Sequence, residues 1–260
     1  MAELFKGNTL RYNEGQEKEG FFKEGGFHLS KEKTIQSEVG SYVSSLLRTH
    51  FGKGPSKLYI TVNPPFITIQ FQGFLAPMER LLVKRKEKKR VLETRDLMMA
   101  ELKPEIIQGL REAALLEVSE LYVDWDLEKE TGMMIGILEE ELRQKPILWP
   151  EEINEDVFKR KINEASYKAE KVPESTDLYW LSDWVILVRR TGILVQIEKE
   201  LIKNGYMEEL KLSKRPLERR LMQEAELDTV VKNPISEIFL DWNFEADIGY
   251  TAFVLDPKQS

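Results

Sequence analysis

Four carboxylates fall in line in one short stretch. "LYVDWDLEKETGMMIGIL", from Leu121 to Leu138, carries Asp124, Asp126, Glu128 and Glu130. Clustered acids can hold a hard cation, or can push their pKa values apart and do acid–base work. A calcium loop of the EF-hand type needs a glycine at position six and a bidentate glutamate at position twelve. Counted from Asp124, those positions hold Lys129 and Ile135. A near copy, "IFLDWNFEADIGYTAFVL" from Ile238 to Leu255, puts Ala246 and Ala252 there. Strand alternation explains both stretches better. Leu121, Val123 and Trp125 share one face, Tyr122, Asp124 and Asp126 the other, and Glu128 to Thr131 form a solvated turn. A catalytic reading pairs Asp124 with Asp241 across a symmetry axis. The expectation is simpler: each is exposed, or is neutralised by a lysine or arginine on its sheet face.

The strongest charge run is "KRKEKKR", with Lys84, Arg85, Lys86, Lys88, Lys89 and Arg90. It is a candidate patch for an anionic membrane surface or nucleic acid. No aromatic residue interleaves it, so a solvated helix face is the expectation and nucleic acid is not the expected partner. The matching stretch of the copy, "KNGYMEELK", is nearly neutral, so any such patch is one-sided. "GKGP" (Gly52 to Pro55) lacks the order of a phosphate loop and reads as a helix end. His50 sits beside it as a lone histidine. Trp180 and Trp184 lie in a hairpin, where apolar packing is the default.

The elements that position these residues follow from pattern. Residues 1–29 hold five glycines and few aliphatics, and read as a flexible or loosely docked arm. Ile35, Val39, Tyr42, Val43, Leu46 and Leu47 recur at helical spacing. "KLYITVN" and "FITIQFQ" read as a hairpin turning at Pro64-Pro65 and closed by Gly73. Pro77 opens a broken helical region in which Pro104 starts a further segment. The acidic hairpin follows. Residues 141–150 form a connector, and Pro150 then begins a helix. The plan repeats: a hairpin closing at Gly192, a helix over "VQIEKELIKN", more helix from Pro216 to about Val231, and a last hairpin.

Gly73 and Gly192 are 119 residues apart; Asp124-Trp125 and Asp241-Trp242, like Gly132 and Gly249, are 117 apart. The chain is therefore two copies of an α-β-β-α-α-β-β unit, 30–140 and 151–256. The fold class is α+β, each copy a four-stranded antiparallel sheet with helices on one face. The copies pack about a pseudo-two-fold axis, as an intramolecular dimer.

The chain carries 260 residues, a net charge of −7, two histidines and no cysteine. That excludes disulfides, thiol catalysis and cysteine-held metals. No apolar leader and no run of ~18 apolar residues stands out, so a cytoplasmic protein without a spanning helix is expected.

Gly52, Gly54, Pro55, Gly73, Leu75, Pro77, Glu79 and the hairpin from Leu121 to Leu138 resemble the MpsC-like family, bacterial proteins long catalogued as a domain of unknown function. The likeness covers 30–140 well and 150–256 more weakly. Family members often carry a histidine before the acidic residue of the third strand; here Val123 and Leu240 lie in that region. The second copy has "EKVPES" for "GKGP" and "GILVQIE" for "GFLAPME". The resemblance implies a soluble accessory role beside a membrane ion or bicarbonate transport, or membrane-potential, system. It supplies no catalytic residues. The expectation is thus a non-enzymatic interaction protein without cofactor, with a protein partner in a membrane transport complex and peripheral to the membrane. A small-molecule or ion sensor binding between the copies is the alternative. A hydrolase using Asp124, Asp126 and His50 is a third.

Overall fold

The computed structural model describes residues 10–13, 34–139, 148–169, 171–231 and 233–256. In the first repeat, helix α1 (Ile35–Phe51) is opened by the Thr34 side chain, which accepts from the Ser37 N–H. It ends at Gly52, whose φ of 71° is the left-handed value that glycine takes without strain. Strands β2 (Lys57–Asn63) and β3 (Phe66–Gln72) form the predicted hairpin, around a cis Pro64-Pro65 bond. Helix α2 (Pro77–Lys84) has Pro77 in its first turn. Helix α3 (Lys88–Ala114) leads to the hairpin of β4 (Val118–Asp126) and β5 (Thr131–Leu138).

The second repeat runs α4 (Glu155–Lys168), β6 (Ser175–Ser182), β7 (Val185–Thr191), α5 (Gln196–Lys203), α6 (Met207–Glu224), β8 (Ile235–Asn243) and β9 (Ile248–Leu255). A 3-10 turn, Leu227–Thr229, follows α6.

Three boundaries differ from the sequence reading. The helical region does not break at Pro104. α3 runs straight through it, because Leu102, Ile106 and Leu110 anchor both sides of the proline in the core and offset the ~3 kcal/mol that an interior proline costs. The break falls at Arg85–Glu87 instead. α6 likewise runs through Pro216. Helix α4 starts at Glu155 rather than at Pro150, because Asn154 is the better cap: its side chain accepts from the Val157 N–H at 3.0 Å. Pro150 opens a turn, its carbonyl accepting from the Ile153 N–H.

The antiparallel sheets are ordered β1-β2-β3-β5-β4 and β6-β7-β9-β8. Strand β1 (Leu10–Asn13) comes from the N-terminal arm and pairs with β2, making the first sheet five-stranded; the rest of the arm, and most of the connector, lie outside the described residues. Each sheet covers one face with its own helices. Val39, Leu47, Ile106 and Leu110 pack there on Leu58, Ile69 and Val123; Phe158, Ile162 and Met222 do so on Val188 and Leu240. The opposite faces pack on each other through Phe66, Tyr122, Met133 and Ile135 against Leu181, Leu187, Phe239 and Tyr250. Central strands covered on both faces read as unbroken apolar runs, and all of β3 except Gln72 is buried. The molecule is thus two α+β units joined sheet to sheet, with β4 and β8 side by side and α3 and α6 meeting next to them.

Candidate functional site

The seam between β4 and β8 is where the opening aspartates lie. Both are buried, with only 2 % of each exposed. Each carboxylate reaches across to the other strand. The Leu240 N–H donates to Asp124 at 2.8 Å, and the Val123 N–H donates to Asp241 at 2.8 Å. The two bonds are equivalent about the pseudo-two-fold. Edge strands carry unpaired backbone donors, and here each aspartate caps a donor of its neighbour.

Four cations balance these acids. Arg215 Nε lies 2.9 Å from Asp124, and Arg219 also binds that carboxylate. Lys211 Nζ lies 3.0 Å from Asp241, and Lys103 lies 4.0 Å from it. A third acid, Asp96 on α3, accepts from Arg215 Nη2 with both oxygens at 3.0 Å, and has Lys211 at 3.8 Å. Burial pushes the Asp96 carboxyl above its ordinary value, and Arg215 and Lys211 offset only part of that. Burial also pushes Asp241 up, but there Lys211, Lys103, the Val123 N–H and Arg215 prevail and hold it below the ordinary range. Lys211 is raised, burial being outweighed by Asp241 and Asp96.

A second polar contact crosses the sheets. Buried Glu237 accepts from Gln70 Nε2 at 2.6 Å and from the Thr131 hydroxyl. Inside the second repeat, Arg190 donates to Glu218 at 2.5 Å and Lys214 lies 3.0 Å from it, all three buried. The first repeat fills the comparable space with aromatics: Arg95, fully buried, lies 4.4 Å from the Trp125 ring and 4.9 Å from that of Phe74, and pairs with Glu79.

Asp124 and Asp241 therefore meet at the seam, while Trp125 and Trp242, next to them on the strands, turn their rings into the separate cores of their own repeats. Asp126 does not join the two aspartates. Its carboxylate accepts from the Glu128 and Lys129 N–H groups and shapes the turn, as the Asn243 side chain does for Ala246. Replacing aspartate by asparagine keeps that acceptor. Gly132 and Gly249 give the tryptophans room: a β-carbon at Gly132 would lie 2.2 Å from Phe71 and 2.8 Å from Trp125, and one at Gly249 would lie 3.0 Å from Trp242. Gly52, Gly73 and Gly192 take left-handed φ at turns and a cap. Gly54 and Pro55 follow the α1 cap, and Lys53 donates to the Leu75 carbonyl. His50 pairs with Glu105 at 3.4 Å, so His50, Asp124 and Asp126 are each engaged with different partners.

The residues that carry most of the seam's charge, Asp96, Lys103, Lys211, Arg215 and Arg219, were not among the sequence candidates. One signal pointed to two of them. Asp96 and Arg215 are 119 residues apart, the spacing of Gly73 and Gly192, and so occupy equivalent positions.

Among the described residues no helix is long and apolar enough to cross a membrane. No curated protein and no solved structure matches the chain. A family model does match, that of the "Na+-translocating membrane potential-generating system (MpsC)", once over residues 31–140 and again over 152–257. Those two segments are the two α+β units built above, and the chain belongs to the MpsC family with two copies of its domain in tandem.

Proposed function

We propose that the protein is a non-enzymatic accessory component that works beside a sodium-linked, membrane-potential-generating transport system, by binding protein in that system. Family membership supplies the system. The observation that carries the non-enzymatic part is the state of the buried charges. Asp96, Asp124, Asp241 and Glu218 each face lysine or arginine at ion-pair distance, and Asp124 and Asp241 also accept backbone N–H groups. A general acid or base must give or take a proton at an approachable atom. Asp96, Asp124 and Asp241 are committed to holding the repeats together, and Glu218 to Arg190 and Lys214 inside the second. The space between the sheets, where a sensor would place its ligand, is occupied by Phe66, Tyr122, Phe239 and Tyr250.

Affinity purification of the protein from native membranes tests this. A transport complex should be retained with it, and deletion should alter ion-dependent membrane potential. Recovery solely as free protein, with transport unchanged on deletion, overturns the proposal.

A further inference from the structure

The tip where α2 turns into α3 departs from its equivalent in the second repeat in a way that its backbone does not require. At the first tip Arg85, Lys86 and Glu87 donate backbone N–H bonds to Leu81, Val83 and Leu82; at the second Asn204, Gly205 and Tyr206 donate to Glu200, Ile202 and Leu201. These three bonds are the same in the two turns. Gly205 takes φ 85°, where glycine is at ease, but Lys86 takes φ 64° with a β-carbon. A side chain kept at a strained position, where the same turn is built elsewhere with glycine, points to a role for the side chain itself.

Its surroundings say what role. Lys84, Arg85 and Lys86 are exposed and have no ion-pair partner among the described residues. Lys88, Lys89 and Arg90 are matched by Glu128, Glu93 and Glu87. Helix α2 buries none of its residues, and Met78 and Leu81 are 69 % and 50 % exposed. Positions 78, 81 and 85 share a helical face. The tip thus sets uncompensated cations beside bare apolar side chains, on a chain whose net charge is −7.

We infer that this tip docks on an anionic phospholipid surface, with Lys84, Arg85 and Lys86 among the headgroups and Met78 and Leu81 at the acyl boundary. A bilayer offers both chemistries at once, whereas a nucleic acid has no use for the methionine and leucine and would favour stacking aromatics. The inference rests on the membrane-linked reading above and gives it a contact surface.

Vesicle flotation of the full chain tests it. The protein should float with vesicles of equal parts phosphatidylglycerol and phosphatidylcholine, and not with phosphatidylcholine alone, and salt should release it. A triple variant, Lys84→Ser, Arg85→Ser and Lys86→Gly, should bind about 100-fold more weakly. Lys86→Gly alone should weaken binding about 5-fold while raising the unfolding temperature, a pairing that a purely structural lysine would not give. Met78→Ser with Leu81→Ser should also weaken flotation. Equal binding to both vesicles, no binding to either, undiminished binding of the triple variant, or preference for RNA over the mixed vesicles overturns the inference. The vesicles hold no protein, so failure here with a transport complex still co-purifying from membranes sinks only this inference. Flotation without any complex sinks only the proposed function.

Discussion

Asp96 and Arg215 stand at equivalent positions of the two repeats and bind each other, both oxygens of Asp96 lying 3.0 Å from Arg215 Nη2. The pseudo-two-fold axis passes between them. Removing one partner of a buried pair leaves an uncompensated charge, so Arg215→Ala should cost about 3–5 kcal/mol. A cycle with Asp96→Ala, read by denaturant unfolding, should give a coupling of about 1–3 kcal/mol between the two sites. Strict additivity would remove the pair from the account of how the repeats are joined.

The acids of the opening hairpin should divide sharply. Asp124→Asn leaves Arg219 without a counter-charge, leaves Arg215 with Asp96 alone, and weakens the cap on Leu240, which predicts a loss of about 3–5 kcal/mol. Asp126→Asn should stay within about 0.5 kcal/mol, because Asn243 already does the same job in the second repeat. Thermal unfolding of the two variants compares them directly.

Gly132→Ala drives a methyl group into Phe71 and Trp125, two fully buried rings. It should cost about 1–3 kcal/mol or more by overpacking. Gly249→Ala first meets Ile193 Cδ1 at 2.9 Å, the far end of an aliphatic side chain that can turn aside. The second substitution should be the milder, and equal unfolding midpoints would contradict this packing argument.

Stability should fall in acid for a stated reason. Burial pushes the Glu218 carboxyl up, but Arg190 and Lys214 outweigh it and set it below 4.5. Asp241 is held below 3.8 by Lys211 and its neighbours, against the same burial. A carboxyl lowered by folding stabilises the fold fully above its unfolded value, and that contribution is lost as pH falls through the folded one. Asp96, raised above 3.8 by burial, works the other way and partly offsets the loss. Denaturant midpoints should therefore hold from neutral pH down to about 4.5 and decline below it. Glu218→Gln should lower the plateau, by leaving Arg190 short of a partner, and make the decline shallower. An unchanged slope would assign the acid transition to other groups.

The duplication was legible because its markers are backbone devices. Gly73 and Gly192 supply left-handed turns, and Gly132 and Gly249 make way for Trp125 and Trp242. Such positions tolerate few residue types. The ionic seam was not legible. Lys211, Lys214, Arg215 and Glu218 recur at helical spacing, and a polar stripe on a helix reads as a solvated face. They are largely or fully buried because that face of α6 meets acids of its own and the other repeat, and residue type does not report what lies opposite. Pro104 misled for a related reason. Its local effect is to break a helix, and the core on both sides of it decides otherwise.

In an assembly of two identical chains, a residue on the symmetry axis meets its own copy. Asp96 would then face aspartate, and Arg215 would face arginine. With both copies on one polypeptide, that self-encounter becomes a lock and its key. The first repeat cannot satisfy its axis with another first repeat, so the joined pair is directional. Its two ends are also distinguishable, since Lys86 marks one tip and Gly205 the other. A surface that read such a tip would meet two equal ones on a symmetric dimer and a single one on this chain.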